Sequence, residues 1–371
     1  MRLILTFIIA VCFNLPAHAE EMPGWVEGKL RHMTLEEKVG QVLMISLPGP
    51  KMTEPMKAFL KAGKFGGLIL FEDNIQFYDQ VKLFNTEAQR LSKTSSGIPL
   101  IIAVDQEGGS VNRLGKVVNL KPMTYSARTL GHFYAKQPAV VGNALKTFAD
   151  NLARAMNDLG FNMNMAPVLD VAKGPDSALA SRSFGTNPKL VKELSSHFVE
   201  AMEAHGVIAT GKHFPGLGST ELDSHYHLPT IALPPRHLFR KDWRPFRELK
   251  DQLGAVMVGH AVVKEIDPKR PATLSPKVIR VLRRKVGYRG LVITDDLKMQ
   301  AVAKGRPIQQ IAVDSFLAGC DMLLVAMQPA EIEQARRALY FAVKKGKITQ
   351  KRLNQSVRRV LSLKYDYSMT R

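Results

Sequence analysis

Short apolar runs alternate with longer amphipathic segments along most of the chain. Eight runs are rich in β-branched or other apolar residues and have the length of strands. They are residues 42–46, 67–71, 100–105, 162–170, 209–213, 255–263, 291–294 and 322–326. Because continuously apolar runs suit strands that are buried on both faces, this pattern predicts a parallel sheet with crossover helices.

Segments with helical periodicity lie between the predicted strands. They are residues 78–91, 140–159, 190–205, 237–253, 309–318 and 332–345. An extra N-terminal helix precedes the first strand, where Thr34 and Glu37 have the spacing of a capping box. Since no linker or repeat divides the chain, the pattern favours an α/β fold with a single TIM-type (β/α)₈ barrel. An open doubly wound sheet is the alternative, because a count of strands cannot establish closure.

The first nineteen residues have the three parts of a secretory signal peptide. Arg2 supplies a positive charge, residues 3–15 form an apolar stretch, and Ala17-His18-Ala19 is a small-x-small cleavage pattern. The stretch is short for a membrane span, and an amphipathic or buried helix is the structural alternative. We expect a signal peptide at residues 1–19 that is cleaved after Ala19, a periplasmic or secreted protein, and one barrel domain over residues 20–371.

The charge balance limits the classes of partner. The formal net charge of +19 becomes +18 when Arg2 leaves with the leader, and such an excess favours attraction to anionic surfaces. Charges of both signs are scattered, with no basic run among aromatic residues, so nucleic-acid binding is not expected. The densest basic cluster, residues 344–359, is interpreted as the solvated face of a terminal helix. Cys320 is alone once Cys12 is removed, so no internal disulfide is expected.

Two predicted connections are longer than a simple barrel loop. Residues 171–188 follow the fourth predicted strand, and residues 214–229 follow the fifth. Long loops in a compact domain are usually functional or disordered, and the catalytic groups of barrels gather at the C-terminal ends of the strands. Six polar residues close predicted strands in this way: Asp105, Lys212, His213, His260, Asp295 and Asp296.

The segment KHFPGLGSTELDSHYHLP, residues 212–229, is the richest in reactive side chains. These side chains are Lys212, His213, Asp223, His225 and His227. A carboxylate two residues from an imidazole can fix its tautomer and raise its basicity, which suits general acid/base catalysis. A structural role for the histidines is one alternative. A metal site that combines two of them with His260 is another, although the first strand lacks the His-x-His of a barrel metallohydrolase.

Two adjacent carboxylates end the apolar run in VITDDLKM, residues 292–299. Asp295 and Asp296 point to opposite sides if the chain is extended, so one of them faces the barrel mouth. That position suits a nucleophile or a base. The other carboxylate suits a helix N-cap, and we assign this role to Asp296.

The segment DQEGGSVNR, residues 105–113, follows the third predicted strand. A glycine pair lets the backbone approach a ligand, and Asp105 and Arg113 can clamp sugar hydroxyls. A plain turn is the alternative, and the spacing does not match a phosphate-binding loop. Arg182, in the segment SRSFG, would be a surface charge by default.

Taken together, these motifs resemble those of family 3 glycoside hydrolases. In this chain they are KHFPG with a downstream DSH, DQEGG, APVLDV, RSFG, GHAVV with PATLSP, and GYRGLVITDDLKM. The similarity runs from about Leu35 to Lys364 and is greatest to single-domain β-N-acetylglucosaminidases. The resemblance implies a retaining exo-hydrolase that removes terminal β-linked N-acetylglucosamine from peptidoglycan fragments or chitooligosaccharides.

The resemblance also implies a role for eight residues. Asp295 corresponds to the nucleophile that forms a covalent glycosyl-enzyme, and Asp223 with His225 corresponds to the acid/base dyad. The residues expected to hold the sugar are Asp105, Arg113, Arg182, Lys212 and His213, and Asp170 and His260 lie at neighbouring strand ends. A carbohydrate is the expected partner. No metal or organic cofactor is expected, and the protein is expected to be a monomer.

Four positions depart from the family pattern. Leu217 and Ser219 stand where PGHGDT is usual, Ser110 replaces an Arg after DQEGG, and Asp73 stands where a basic residue is common. None of these is an assigned catalytic residue. We therefore expect the departures to bear on loop closure and substrate preference rather than on the catalytic groups. The alternatives are a family 3 β-glucosidase or β-xylosidase, a metal-dependent barrel hydrolase, and a non-catalytic protein that binds cell-wall glycan.

Overall fold

The computed structural model describes residues 22–120, 124–220, 222, 224 and 226–369. The predicted leader with its cleavage site lies outside these residues, as do Asp223 and His225 of the predicted dyad. No helix in the described part of the chain is long and apolar enough to cross a membrane.

Eight parallel strands of the described chain form one sheet that curls into a nearly closed barrel. They are β1 (Leu43–Ile45), β2 (Gly67–Leu70), β3 (Ile101–Val104), β4 (Met163–Asn164), β5 (Ile208–Phe214), β6 (Ala255–Val258), β7 (Leu291–Thr294) and β8 (Leu323–Val325). Their order is β7-β6-β5-β4-β3-β2-β1-β8, and a parallel bridge between Ile293 and Met322 joins the two end strands. The predicted barrel is confirmed, and the open-sheet alternative is wrong.

Helices cover the outside of the barrel. They are α1 (Met22–His32), α2 (Leu35–Gln41), α3 (Glu54–Gly63), α4 (Tyr78–Ser96), α5 (Ala127–Lys136), α6 (Pro138–Asp158), α7 (Pro188–Ala204), α8 (Pro235–Arg240), α9 (Arg244–Leu249), α10 (Pro276–Val281), α11 (Gln300–Ala303), α12 (Ile308–Ala318), α13 (Pro329–Lys344) and α14 (Gln350–Asp366). Both α1 and α2 precede β1. The predicted capping box begins α2, because Thr34 N donates to Glu37 Oε2 at 2.8 Å and Glu37 N donates to Thr34 Oγ1 at 3.3 Å.

The strands are buried on both faces. Met44, Ile101 and Met257 belong to the cluster inside the barrel, whereas Leu43 and Ile45 pack in the layer between the strands and the helices. This arrangement explains why the strands are continuously apolar rather than alternating. The packed barrel gives the strand ends fixed positions, and these ends carry the polar residues of the site.

Two predicted strands are shorter in the structure. The fourth, predicted at residues 162–170, belongs to the sheet only at Met163–Asn164, followed by a bridge between Val168 and Lys212. Pro167 lies between these two pairings and has no N–H to donate to a neighbouring strand. The sixth, predicted at residues 255–263, divides after Val258, and Val262–Val263 pairs outside the barrel with Thr230–Ile231.

The predicted helix at residues 237–253 is also divided, into α8 and α9. Asp242 lies between the two helices and is fully buried, and its carboxylate accepts a hydrogen bond from Ser219 of the loop after β5. Pro245 stands in the first turn of α9, a position that suits the start of a helix, so a new helix begins after the residue that contacts the loop.

The predicted solvated face at residues 344–359 is wrong for two of its arginines. Arg352 Nη1 and Arg359 Nη1 donate to Asp321 Oδ1 at 3.3 Å and 2.9 Å, and Asp321 is fully buried. Arg283 binds the other oxygen of the same carboxylate at 2.5 Å. The buried negative charge attracts guanidinium groups that would otherwise remain in solvent.

Candidate active site

A cavity of about 290 Å³ opens at the C-terminal ends of the barrel strands. The predicted site residues that line it are Asp105, Arg113, Arg182, Lys212, His213 and Asp295. Phe71, Met257 and Leu324 contribute apolar walls, and Leu222 and Ser224, next to the predicted dyad in sequence, also line the cavity. The structure therefore brings together every predicted site residue that it describes.

Strand ends and long loops supply these side chains. Asp105 follows β3 directly, Lys212 and His213 belong to the last part of β5, and Asp295 follows β7 directly. Arg182 comes from the long loop after β4. Rigid strands thus hold most of the polar groups, as expected at the C-terminal face of a barrel.

The DQEGG segment continues β3 as a small hairpin. Gln106–Gly108 pairs with Val111–Asn112, and Gly108 and Gly109 turn the chain at φ of +90° and +59°, where glycine is favoured. Arg113 follows the hairpin into the cavity wall, where its Nη1 lies 3.8 Å from Glu72 Oε2. The segment therefore forms a turn, which was the structural alternative for it, and its residues also line the cavity.

Glu107 is a central residue of the site that the sequence reasoning missed. Its side chain is 5% exposed and accepts from Arg182 in bidentate fashion, Nε to Oε2 at 2.8 Å and Nη2 to Oε1 at 2.8 Å. Lys212 Nζ lies 2.6 Å from Glu107 Oε1 and 2.6 Å from Asp105 Oδ1. The available signal was its place as the second acid of the glycine-flanked DQEGG motif.

The two cations keep Glu107 ionised. Burial alone would raise the pKa of this carboxyl, but Lys212 and Arg182 outweigh that effect and hold the pKa at about 2. Glu107 in turn fixes both cations beside Asp105, so their donors are oriented before a ligand arrives.

Asp170 orients the imidazole of His213. Its fully buried carboxylate has Oδ2 at 2.7 Å from His213 Nδ1, and the same oxygen accepts from His213 N at 2.9 Å. Oδ1 accepts from Leu217 N at 2.5 Å and from Gly218 N at 3.3 Å. When Nδ1–H donates to Asp170, the other ring nitrogen remains on the side of Arg182, 3.5 Å from its Nη2. Asp170 therefore supports both the imidazole and the start of the loop after β5.

Asp295 lies in a positive environment at the cavity wall. Burial alone would raise its pKa, but the neighbouring His213, His260 and Lys212 side chains outweigh this effect, and the pKa lies below its ordinary value. Its Oδ1 accepts a hydrogen bond from Asp296 N at 2.8 Å, which further favours the ionised form. Asp295 is thus a carboxylate at neutral pH.

Asp296 has a different environment and a different role from the one predicted. Burial raises its pKa to about 7, although its Oδ1 accepts from Lys298 N at 3.0 Å and from Ala326 N at 3.2 Å. The N-cap of α11 is Met299, so the predicted N-cap role of Asp296 is wrong. Its carboxyl instead ties the turn after β7 to the end of β8, and His260 Nε2 lies 2.9 Å from its carbonyl oxygen.

The two described histidines of the metal alternative differ in their exposure to solvent. His227 is exposed, whereas His260 is fully buried with Nδ1 at 2.5 Å from Thr273 Oγ1. Within the described ranges, no group of three or more His, Cys, Asp or Glu side chains is arranged to hold a metal ion.

Comparisons with known proteins agree with this geometry. The family model described as the glycosyl hydrolase family 3 N-terminal domain matches residues 34–363. The chain belongs to glycosyl hydrolase family 3. A β-hexosaminidase from Alkalilimnicola ehrlichii is 34% identical to it over 80% of this chain and 84% of that protein.

Solved structures of family 3 proteins share the fold of this family member. A β-N-acetylglucosaminidase from Paenibacillus sp. superposes with a TM-score of 0.85 at 36% identity, over 91% of this chain and 63% of that longer chain. NagZ from Neisseria gonorrhoeae superposes with a TM-score of 0.70 at 28% identity, over 86% of this chain and 96% of its own. The resemblance inferred from the motifs is confirmed, and this family 3 protein is a glycoside hydrolase that acts on carbohydrate.

Proposed function

We propose that this glycoside hydrolase is a retaining exo-β-N-acetylglucosaminidase. It removes terminal β-linked N-acetylglucosamine from peptidoglycan fragments or chitooligosaccharides. The observation that carries the proposal is that the Asp295 carboxylate shares one cavity with the Lys212, Arg182, Glu107 and Asp105 cluster. Such a cavity suits one sugar ring that is held by its hydroxyls. The names of the curated β-hexosaminidase relatives support the choice of sugar.

Asp295 is the nucleophile in this proposal. Its carboxylate attacks the anomeric carbon, and a bond from its oxygen to that carbon forms as the bond to the leaving oxygen breaks. Asp296 is less suited to this step, because burial raises its pKa to about 7 and it is partly protonated at neutral pH. Adjacent acids whose pKa values move in opposite directions can take different roles.

His225, oriented by Asp223, is the acid and then the base. The imidazolium gives its proton to the leaving oxygen, and the neutral ring then takes a proton from the water that releases the sugar from Asp295. The support for this assignment is the DSH spacing and the presence of Leu222 and Ser224 in the cavity wall.

The remaining polar residues bind the sugar. Lys212 and Arg182 are fixed by Glu107 and Asp105, and His213 is fixed by Asp170, so these donors need little reorganisation when a hydroxyl binds. Arg113 completes the cavity wall on the side of the hairpin. No step of this scheme uses a metal or an organic cofactor.

A panel of nitrophenyl glycosides tests the proposal. We expect kcat/KM to be higher for the β-N-acetylglucosaminide than for the glucoside, the galactosaminide or the xyloside. NMR of the product should show that the sugar is first released as the β-anomer. A preference for the glucoside or xyloside would favour the other family 3 activities. Initial release of the α-anomer would contradict the retaining mechanism.

His225→Ala is expected to slow hydrolysis of an unactivated disaccharide by about 10²–10⁴-fold, because a poor leaving group needs the proton. The loss on a nitrophenyl substrate should be much smaller, and added azide should restore the rate by attacking the glycosyl-enzyme. Steady-state kinetics on both substrates measure the difference. His227→Ala, at an exposed histidine two residues further on, is the matched control and should preserve the wild-type ratio. Equal losses on both substrates without azide rescue would make His225 a sugar contact only.

We also propose that the enzyme is exported to the periplasm or beyond. The support is the leader pattern that ends at Ala19, and the positive charge of the mature chain would give a salt-sensitive attraction to anionic surfaces. Fractionation with N-terminal sequencing should find a mature protein that begins at Glu20 outside the inner membrane. Recovery of a cytoplasmic protein that retains Met1 would overturn export without affecting the catalytic proposal.

A further inference from the structure

We propose that Asp242, acting through Ser219, is a positioning residue for the loop that carries the acid/base dyad. The inference rests on the proposed function, because it concerns the support of the segment that contains Asp223 and His225. It assigns a role to one of the positions, Ser219, at which this chain departs from the family pattern.

The loop after β5 is held at its root by buried groups from neighbouring elements. The Asp170 carboxylate accepts from the backbone N–H groups of Leu217 and Gly218. Trp243 Nε1 donates to Pro215 O at 3.0 Å from the other side. The first residues of the loop are thus fixed before the chain reaches the dyad.

Ser219 and Asp242 add a third support closer to the dyad. Ser219 Oγ donates to Asp242 Oδ1, and Ser219 precedes Asp223 by four residues in the sequence. The backbone of Gly216 packs directly on the same side chain: a Cβ at this glycine, whose φ is +114°, would lie 2.9 Å from Asp242 Cβ. The Asp242 side chain therefore approaches the loop at two points, Gly216 and Ser219.

Stability does not explain a carboxyl at this position. Asp242 is fully buried, and its Oδ2 has no hydrogen-bond partner among the described residues. A buried polar atom without a partner costs free energy, and an apolar residue could fill the same space without that cost. A carboxyl found under these conditions against a loop whose Leu217 and Leu222 line the site cavity is a candidate for a functional role.

Asp242 is expected to change its ionisation within the range of pH over which activity can be assayed. Burial raises its pKa to about 6; Lys241 and His237 favour the ionised form, whereas Asp170 disfavours it. Above this pH, Ser219 donates to a carboxylate, which is a stronger acceptor than the neutral acid below it. We expect kcat/KM for a poor leaving group to rise about fivefold through pH 6 as the loop is held more firmly.

The stability effect of Asp242 has the opposite sign. A carboxyl whose pKa is raised in the folded protein stabilises it below the unfolded value, and that contribution is lost as the pH rises through the folded pKa of about 6. A purely structural Asp242 would therefore give a protein that becomes less stable as pH rises, with no accompanying gain in activity.

The test compares Asp242→Asn and Ser219→Ala with the wild-type enzyme from about pH 5 to about pH 8. Both variants should lose the activity step near pH 6 and about fivefold in kcat/KM on an unactivated disaccharide at neutral pH, with little change on a nitrophenyl substrate. The double variant should be no worse than Ser219→Ala alone, because both substitutions act on the same hydrogen bond: Ser219→Ala removes its donor, and Asp242→Asn replaces its carboxylate acceptor with a neutral amide. The step should persist in His237→Gln, which removes an exposed imidazole from among the groups that act on the Asp242 carboxyl.

Asp267→Asn is the matched control. Ser275 Oγ donates to Asp267 Oδ2 at 2.7 Å in a second buried Ser–Asp pair, which lies outside the set of residues that line the site cavity. This variant should lower the melting temperature and leave the pH profile of kcat/KM unchanged.

The outcomes separate the positioning role from the proposed function. If Ser219→Ala and Asp242→Asn keep the step near pH 6 and the wild-type dependence on leaving group, the positioning role is overturned. If Asp242→Asn does not fold, the smaller change Ser219→Ala decides the question by the same two readouts. If the wild-type enzyme hydrolyses no N-acetylglucosaminide, the proposed function fails instead.

Discussion

Asp295→Ala is expected to lower kcat/KM on any β-N-acetylglucosaminide by about 10⁴-fold or more while the fold remains intact. A methyl group cannot form the bond to the anomeric carbon. Asp296 cannot replace the missing nucleophile, because its Oδ1 is engaged by the backbone N–H groups of Lys298 and Ala326 and its pKa is raised to about 7 by burial. Kinetics with a nitrophenyl substrate measure the loss, and a thermal melt checks the fold.

The adjacent acid provides the control for this experiment. Asp296→Ala removes the acceptor of two backbone donors, so we expect it to lower the free energy of unfolding by about 1–2 kcal/mol and to retain far more activity than Asp295→Ala. An active Asp295→Ala beside an inactive Asp296→Ala would reverse the two assignments. Two active variants would contradict the glycosyl-enzyme mechanism.

Azide distinguishes the nucleophile from the acid/base residue by the product that it forms. In Asp295→Ala, azide can occupy the space of the lost carboxylate and displace the leaving group, which gives the α-glycosyl azide. In His225→Ala, azide attacks the glycosyl-enzyme from the opposite face and gives the β-glycosyl azide. The same anomer from both variants would show that the two residues do not act on opposite faces of the sugar.

The barrel was predictable because its signal is local. Each strand is buried on both faces, so it leaves a short, continuously apolar run, and a polar residue at its end marks the mouth of the barrel. The pairing of strands depends on residues that are distant along the chain, and for this reason two of the predicted strands were longer than the observed ones. Pro167 interrupts the fourth predicted strand, and the sixth divides because Val262–Val263 finds a partner outside the barrel in Thr230–Ile231.

The site was predictable only where a motif carries its own chemistry. Asp105, Lys212, His213 and Asp295 stand at strand ends inside recognisable segments. The role of Glu107 depends on Arg182, which is 75 residues away along the chain, and no local pattern indicates that pairing.

Asp242 shows the same limit of sequence reasoning in a helix. Its surroundings have helical periodicity, yet Asp242 lies between two helices and its buried carboxyl binds Ser219 of a distant loop. Sequence rules are expected to fail where a residue serves a distant partner, and such positions are often functional.

Glu107→Gln is expected to lower the free energy of unfolding by about 3 kcal/mol at neutral pH and kcat/KM by about 10²-fold. The substitution keeps the size of the side chain but removes the carboxylate that pairs with Arg182 and one of the two carboxylates that pair with Lys212. An amide cannot replace the bidentate acceptor, so the two cations repel each other and lose their fixed positions. Urea denaturation and steady-state kinetics give the two quantities.

Glu333→Gln is the matched control for the geometry of this pair. Arg336 binds Glu333 in the same bidentate way, with Nε at 2.7 Å and Nη2 at 2.8 Å, but the side chains of this pair are 20% and 37% exposed. A pair in contact with solvent contributes about 0–1 kcal/mol, so this variant should be close to wild type in both measurements. A loss as large as that of Glu107→Gln would mean that burial does not set the contribution of the pair.

The pH dependence of stability identifies the charge of Glu107 as the cause. Its pKa is held at about 2, below the ordinary value of 4.5, so its contribution is present above about pH 4.5 and is lost as the pH falls toward 2. The wild-type protein should therefore lose its advantage of about 3 kcal/mol over Glu107→Gln across the acid range in which both remain folded. An advantage that stays constant over that range would mean that the packing of the side chain, rather than its charge, holds Lys212 and Arg182 in place.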